Sequence, residues 1–342
     1  MKYYLIIAII IFDINCTNSD KSVYGINLSD KEKVEVKLKD SSAFNLDIGS
    51  SLYSQIQTNE SGIIITPRSI INETSLFLVN IPINDNIEFI PVIGEGQGPG
   101  EMLGIDGSSV FNDTLVFFSG KSNKIIFLND TLQVIREKLL KPQSFVLNDF
   151  AFAYNKLIAD LPPKFNKNKI LRIYDMENDS VMRFINYRIP PEYEPSIRNE
   201  FSLLGVVSEE IYYAFVGDKE LNFINFKGEQ IRKVVFGKND PLPKPYTVKD
   251  FSDIKPVKPY IIKSQLYSNY FLILIDSEFW ILQKDNFEFV KRIKLVLEPT
   301  DKPRLPIIDF AVTNNTIVFL EGRSTIHQLE LSELIERANI QE

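Results

Sequence analysis

The stretch IYYAFVGDKELNFINFKGEQIRKVVF, residues 211–236, contains three apolar runs separated by two short polar turns. The runs are rich in Ile, Val, Tyr and Phe, which favour the pleated and half-buried surface of a strand. The turns contain Gly, Asp, Asn and Lys, and such polar clusters between short apolar runs mark reversals of the chain. The stretch therefore predicts three consecutive antiparallel β-strands.

Similar three-run segments occur at 63–94, 115–135, 157–185, 271–295 and 317–331. A further candidate strand precedes each segment, for example DFAFAY at 149–154. The third strand of each unit begins, at intervals of 45 to 58 residues, near Leu76, Ile125, Ile170, Leu221, Phe279 and Ile326. Six units of four antiparallel strands predict an all-β fold, a six-bladed β-propeller occupying residues 23–342 as a single domain.

The sixth unit is short, because Leu331 is followed by the charged and helix-compatible sequence SELIERANIQE. A propeller has to join its last blade to its first, since otherwise an edge strand stays open. The stretch KVEVKLK at 33–39 alternates apolar and charged residues and is the best candidate for the missing outer strand. We therefore expect an N-terminal strand, 33–39, to close the last blade.

The first 15 residues have the layout of a secretory signal peptide, with Lys2 followed by an apolar run from Tyr3 to Phe12. The run is shorter than the about 20 residues that a membrane-spanning helix needs. Cys16 would then be the first residue of the exported chain, followed by a polar tether at 16–22. The arrangement resembles a bacterial lipoprotein signal, which implies lipidation of Cys16; an ordinary signal peptide leaving a free thiol is the alternative.

The composition excludes several kinds of site. Cys16 is the single cysteine and His327 the single histidine, so disulfides, thiolate metal sites and multi-histidine zinc sites are ruled out. We interpret His327 as an exposed strand residue, because polar residues surround it. The formal net charge of −7 argues against nucleic acid as a partner.

The run IGEGQGPGEM at 93–102 places four glycines at alternate positions. It matches neither the dinucleotide-binding pattern nor the P-loop, because the third glycine of the first and the Gly-Lys-Ser/Thr of the second are missing. The run follows an outer strand and precedes an inner strand, so no helix N-terminus lies behind it to attract a phosphate. We interpret it as a structural crossing between two blades; a ligand-binding loop is the alternative.

The stretch VEVKLKDSS and the blade that ends IPVIGEGQGPGEM resemble the six-bladed β-propeller lipoproteins of Gram-negative bacteria. The crossing motif of that family matches Gly96, Gly98, Pro99, Gly100 and Glu101. The later blades resemble NHL-type repeats (NHL/TolB-like propellers). The resemblance implies a propeller in the cell envelope, lipid-anchored at the outer membrane on its periplasmic or surface face. It implies no activity.

Two other crossings, 186–200 and 237–260, are longer than a strand connection needs and are rich in proline. Long loops on a rigid scaffold are common binding sites. Their aromatic and cationic side chains suit stacking on sugars or binding of peptides, and the candidates are Tyr187, Arg188, Tyr193, Arg198, Lys244 and Tyr246. The alternative is that the prolines only stiffen solvated loops.

Alignment of the innermost strands places four charged residues at one end of the central channel, namely Asp106, Asp149, Lys263 and Asp309. Such carboxylates could hold a hard cation such as calcium or take part in acid–base chemistry. The alternative is that each Asp accepts backbone N–H groups of its own loop. Apart from this cation we expect no cofactor.

Two function classes follow. The first is a non-enzymatic envelope protein that binds a glycan, a peptide or a protein partner and contacts the membrane through its lipid. The second is a propeller hydrolase, lyase or lactonase that uses a cation at the channel mouth. We favour binding, because enzymes of the second kind rely on histidine or on dense oxygen ligands and this chain has one histidine.

Overall fold

The structure is a computed structural model that describes residues 22–26, 33–38, 43–45, 53–59, 62–67, 76–80, 88–105, 107–112, 114–140, 150–161, 168–188, 201–215, 219–236, 261–275, 278–298, 305–313, 315–322 and 325–336. The regular elements in these ranges are β-strands and one short helix. The predicted signal peptide, Cys16 and most of the tether lie outside the described residues. Within the described ranges, none of the helical structure is long or apolar enough to cross a bilayer.

The described strands form six sheets. Three N-terminal strands join sheets formed mainly by later parts of the chain: β1 (Ser22–Ile26), β2 (Lys33–Leu38) and β3 (Ala43–Asn45). The first sheet contains β4 (Tyr53–Asn59), β5 (Gly62–Pro67), β6 (Leu76–Asn80), β7 (Glu88–Glu95) and β8 (Glu101–Met102). The second contains β9 (Gly107–Phe111), β10 (Thr114–Ser119), β11 (Lys124–Leu128) and β12 (Val134–Leu139). The third contains β13 (Phe150–Ala153), β14 (Lys156–Leu161), β15 (Asn168–Asp175) and β16 (Ser180–Arg188).

The later sheets follow the same order. The fourth contains β17 (Phe201–Val207), β18 (Glu210–Phe215), β19 (Glu220–Asn225) and β20 (Gln230–Phe236). The fifth contains β21 (Ile261–Tyr267), β22 (Tyr270–Ile275), β23 (Glu278–Gln283) and β24 (Phe289–Leu297). The sixth contains β25 (Ile307–Thr313), β26 (Thr316–Glu321) and β27 (Thr325–Glu330), and helix α1 (Leu331–Glu336) follows it.

The first strands of the six sheets contact one another in chain order, and β25 of the last contacts β4 of the first. This arrangement confirms the prediction of an all-β propeller with antiparallel four-stranded blades. In each sheet the chain enters the first strand at one end, which we call the crossing end. The turns from first to second strand and from third to fourth strand lie at the other end, which we call the far end.

Asparagine shapes the far-end turns that join third and fourth strands. In the turn after β19 the side-chain oxygen of Asn225 accepts the backbone N–H groups of Lys227 and Glu229, at 2.9 and 3.0 Å. Gly228 adopts the left-handed conformation there (φ 80°), which a residue without Cβ reaches at little cost. Asn129 accepts the N–H of Gln133 in the same way after β11. These side chains specify the reversals that the repeat predicts.

Aromatic rings fill the spaces between sheets. Phe279 of the fifth sheet packs edge-on against Phe310 and Phe319 of the sixth, with ring centroids 5.0 and 5.4 Å apart. Trp280 faces the other way and meets Phe236 of the fourth sheet at 5.6 Å. Neighbouring strand residues thus pack against opposite neighbours, which is why the central strands are apolar on both faces.

The prediction for residues 33–39 was wrong about their neighbour. β2 pairs in parallel with β24 of the fifth sheet, while β3 pairs in antiparallel fashion with β27 of the sixth. The register gives a physical reason, since Val36 lies opposite Leu295 and Leu38 opposite Leu297. Apolar residues of β2 therefore meet apolar residues of β24, and Glu35 binds Lys294 with 2.6 Å between oxygen and nitrogen.

Candidate functional site

The glycine run forms a tight corner between β7 and β9. Glu101 turns back into this corner, and its Oε2 accepts the N–H of Gly98 at 2.8 Å. A Cβ on Gly96 would lie 2.0 Å from the same oxygen, so the glycine leaves the space that the carboxylate occupies. Gly100 has φ 73°, a left-handed conformation that favours glycine.

Two side chains of the second sheet form hydrogen bonds with the backbone of this corner. Lys124 is buried and donates its ammonium to the carbonyl of Gly98 at 2.8 Å. Glu137 accepts the N–H of Gly100 at 2.9 Å and lies 3.6 Å from Lys124 Nζ. Carboxylates of the chain itself thus use the N–H groups of Gly98 and Gly100 that a bound anion would need. These contacts support the interpretation of Gly96, Gly98, Pro99, Gly100 and Glu101 as a structural crossing.

We expect Gly96→Ala and Glu101→Ala each to lower the free energy of unfolding by about 1–3 kcal/mol, because either change removes the charged hydrogen bond to Gly98. The added methyl of Gly96→Ala has to displace the Glu101 carboxylate. The double variant should then cost little more than one single variant, since both remove the same contact. Urea denaturation measures all three, and fully additive losses would contradict this account of the corner.

Lys263 and Asp309 meet at the crossing end of the channel. They lie on the adjoining innermost strands β21 and β25, and Lys263 Nζ is 2.7 Å from Asp309 Oδ1. The Asp309 side chain is 4% exposed and that of Lys263 21%. The Phe310 N–H also donates to Asp309 Oδ1, at 2.8 Å. The carboxylate therefore binds both a neighbouring ammonium and the backbone of its own strand.

Gln265, which the sequence analysis missed, links these two strands. The side-chain amide of Gln265 on β21 donates to the carbonyl of Val312 on β25 at 3.1 Å and accepts the N–H of Val312 at 3.0 Å. This paired contact joins the innermost strands of the fifth and sixth sheets two residues beyond Lys263. The strand alignment that found Lys263 and Asp309 would also have placed Gln265 opposite β25.

Of the other predicted binding residues, the structure describes only the backbone of two. Tyr187 and Arg188 are the last residues of β16, where they pair with Lys169 and Asn168, so the crossing predicted at 186–200 begins later. The strand is simply longer than its apolar core indicated. The side chains of these two residues, and all of Tyr193, Arg198, Lys244, Tyr246, Asp106 and Asp149, lie outside the described part of the structure.

The interpretation of His327 as exposed was wrong. Its ring is fully buried, and Nε2 lies 2.8 Å from Glu321 Oε2 across the β26–β27 hairpin. The other oxygen of Glu321 accepts the N–H of Leu305 at 3.2 Å. The polar neighbours of His327 in the sequence misled the prediction, because β27 lies between β26 and β3 and is not an edge strand.

Within the ranges that the structure describes, no group of three or more His, Cys, Asp or Glu side chains is placed to hold a metal ion. The predicted cation site depends on Asp106 and Asp149, which lie outside these ranges. Asp309, its third carboxylate, faces an ammonium. The calcium hypothesis remains a prediction.

Solved structures that are similar to this chain share little sequence with it. The WD40 domain of Neurospora crassa Pan2 is similar to this chain with 8% identity and a TM-score of 0.45, covering 86% of this chain and 97% of that one. The WD40 β-propeller domain of Doa1 has 10% identity and a TM-score of 0.46, covering 83% and 95%. No family model matches the chain, and no curated protein matches it either.

Proposed function

We propose that this chain is a cell-envelope lipoprotein whose propeller binds a polar or charged partner without catalysing a reaction. The Lys263–Asp309 ion pair carries the proposal, because it places charge at the crossing end of the central channel. Rigid, hydrogen-bonded strands hold both groups in position. A positioned ion pair on a stiff scaffold can orient a ligand with little loss of conformational entropy.

The proposal takes the six sheets as six blades of one ring. In this ring β3 would supply the outer strand that the sixth sheet lacks, since it lies beside β27. The closure then comes from residues 43–45 rather than from 33–39. A closed ring removes the open edge and gives the crossing end a fixed geometry.

The partner would be a glycan, a peptide or another envelope protein. Strands β16 and β20 end at the crossing end, where Lys263 and Asp309 also lie. Tyr193, Arg198, Lys244 and Tyr246 belong in sequence to the loops that follow these strands, and their stacking and donor groups suit such a partner. Tyr187 and Arg188 would border the first loop at the end of β16.

The enzymatic alternative receives less support. A hydrolase, lyase or lactonase would need its cation at the channel mouth, and there the ammonium of Lys263 already lies 2.7 Å from Asp309. A cation that used Asp309 as a ligand would have to displace this ammonium. No feature of the described residues favours catalysis over binding.

The proposed cellular location rests on the N-terminal sequence. Signal cleavage before Cys16 and acylation of that cysteine would anchor the protein at the outer membrane, on its periplasmic or surface face. The negative net charge of −7 fits a partner other than nucleic acid.

A screen against oligosaccharides and peptides, followed by calorimetry, tests the function. We expect the double variant Tyr193→Ala/Arg198→Ala to bind the selected ligand at least about tenfold more weakly, because a stacking tyrosine and a charged hydrogen bond contribute about 1–3 kcal/mol each. The melting temperature should hardly change. The matched control is Tyr154→Ala/Lys156→Ala, which removes an aromatic ring and a cation at the far end. Equal affinity of both double variants would contradict the proposal.

A further inference from the structure

Three aromatic residues form a patch at the far end of the propeller. Phe111 ends β9, Tyr154 lies in the turn between β13 and β14, and Phe226 lies in the turn between β19 and β20. The ring centroid of Tyr154 is 4.9 Å from that of Phe111 and 6.2 Å from that of Phe226. We call these three residues the aromatic patch. It joins the second, third and fourth sheets.

The conformation of Tyr154 is unusual for an aromatic residue. The residue is 42% exposed, and its backbone has φ 50°, in the left-handed region. Tight turns of this kind normally use Asn or Gly, because a bulky side chain is strained there. The corresponding turns of the second, fourth and fifth sheets have similar φ at Asn112, Ser208 and Ser268, so the conformation belongs to the repeated turn, and Tyr154 places an aromatic ring there. The turn thus keeps a large ring at the surface at some cost in stability.

A cation completes the patch. Lys156 places its ammonium 5.3 Å from the centre of the Phe226 ring and donates to the carbonyl of Tyr154 at 3.3 Å. Lys227, next to Phe226, is exposed. The patch therefore combines aromatic rings with ammonium groups at their border, the composition typical of a surface at a membrane–water interface.

The N-terminal strand β1 leads to this patch. It runs parallel to β20 with Ser22 opposite Arg232, so β1 begins at the far end of the fourth sheet. Phe226 lies in the turn at that same end. Cys16 precedes Ser22 by six residues, which span at most about 20 Å. A lipid on Cys16 would hold the far end close to a bilayer.

We propose that the aromatic patch contacts the headgroup layer of the membrane that holds the lipid anchor. This inference rests on the proposed acylation of Cys16. Tyr154 carries a polar hydroxyl on its ring and favours the headgroup level, while Phe111 and Phe226 are half-buried and support it. Attraction to anionic lipid contributes little to a chain with a net charge of −7. The crossing end, with Lys263 and Asp309, then faces away from the bilayer and stays open to a partner.

Fluorescence of the acylated protein in phosphatidylcholine vesicles tests this contact. Trp280 is the single tryptophan and is buried, so it provides a constant background. Tyr154→Trp adds a reporter to the patch, and Leu305→Trp adds a matched one at the crossing end, where Leu305 is 53% exposed. We expect lipids with brominated acyl chains to remove about half of the emission added by Tyr154→Trp. The emission added by Leu305→Trp should not change.

The possible outcomes distinguish the proposal for the aromatic patch from the proposal for the lipid anchor. Incorporation of a labelled acyl chain into wild type but not into Cys16→Ser establishes the anchor. If acylated protein shows equal quenching of the two reporters, the patch proposal is wrong and the anchor stands. If wild type takes up no acyl chain, both proposals fail. If the Tyr154→Trp emission responds to an oligosaccharide or peptide in solution but not to vesicles, the patch is a ligand site and the membrane contact is wrong.

Discussion

Leu38→Ala should lower the free energy of unfolding by about 2–5 kcal/mol, the cost of truncating a fully buried leucine. Leu38 is buried, although it belongs to β2, a strand added to the outer edge of the fifth sheet. The loss should appear as a lower midpoint in guanidinium denaturation followed by tryptophan fluorescence. Trp280, in the same sheet, reports on this region.

The matched control for Leu38→Ala lies on the same strand. Glu35 points outward, is 55% exposed and binds Lys294 at 2.6 Å. An exposed ion pair contributes about 0–1 kcal/mol, so Glu35→Ala should change the midpoint little. Similar losses for the two variants would contradict the pairing of β2 with β24, because alternate residues would then not face opposite environments.

The second large effect concerns the ion pair at the crossing end. Lys263→Met should destabilise the protein by about 3–5 kcal/mol, because the buried carboxylate of Asp309 loses its neighbouring ammonium. Adding Asp309→Asn to Lys263→Met should restore most of this loss, since the carboxylate charge that the ammonium compensated is then gone. Thermal unfolding of the two single variants and the double variant measures the coupling.

A pair of similar length in an exposed place provides the control. Lys294 and Glu35 are 2.6 Å apart, but both side chains are substantially exposed. Lys294→Met should therefore cost less than about 1 kcal/mol. If Lys263→Met costs no more than Lys294→Met, Asp309 is better solvated than the structure indicates, and the ion pair does not organise the channel mouth.

The repeat period predicted the propeller because each four-stranded unit repeats the same order of apolar runs and polar turns. It also predicted that Lys263 and Asp309 lie at the same end of the channel, because both follow a crossing and precede the second strand by a similar number of residues. These predictions depend on local order along the chain. Hydrophobic periodicity and turn residues report this local order.

The errors concern neighbours that are distant in sequence. Alternation in KVEVKL correctly predicted a strand with one apolar face, but β24 and β27 both offer an outer edge to such a strand. The match of Val36 with Leu295 decides between them, and it appears only when the two strands are aligned. His327 was misjudged for the same reason, because β3 comes from the other end of the chain.

The three N-terminal strands also have a consequence for the order of folding. Ser22 on β1 pairs with Arg232, and Ala43 on β3 pairs with His327, so the partners of these early strands lie more than 200 residues later in the chain. Closing such long loops costs conformational entropy before any contact stabilises the closed loop. Pairing between strands that are distant in sequence therefore slows folding. We therefore expect β1, β2 and β3 to dock last, onto sheets that have already formed. Until then the outer edges of the fourth, fifth and sixth sheets would stay open, and this interval is when the protein is most exposed to aggregation and to proteolysis.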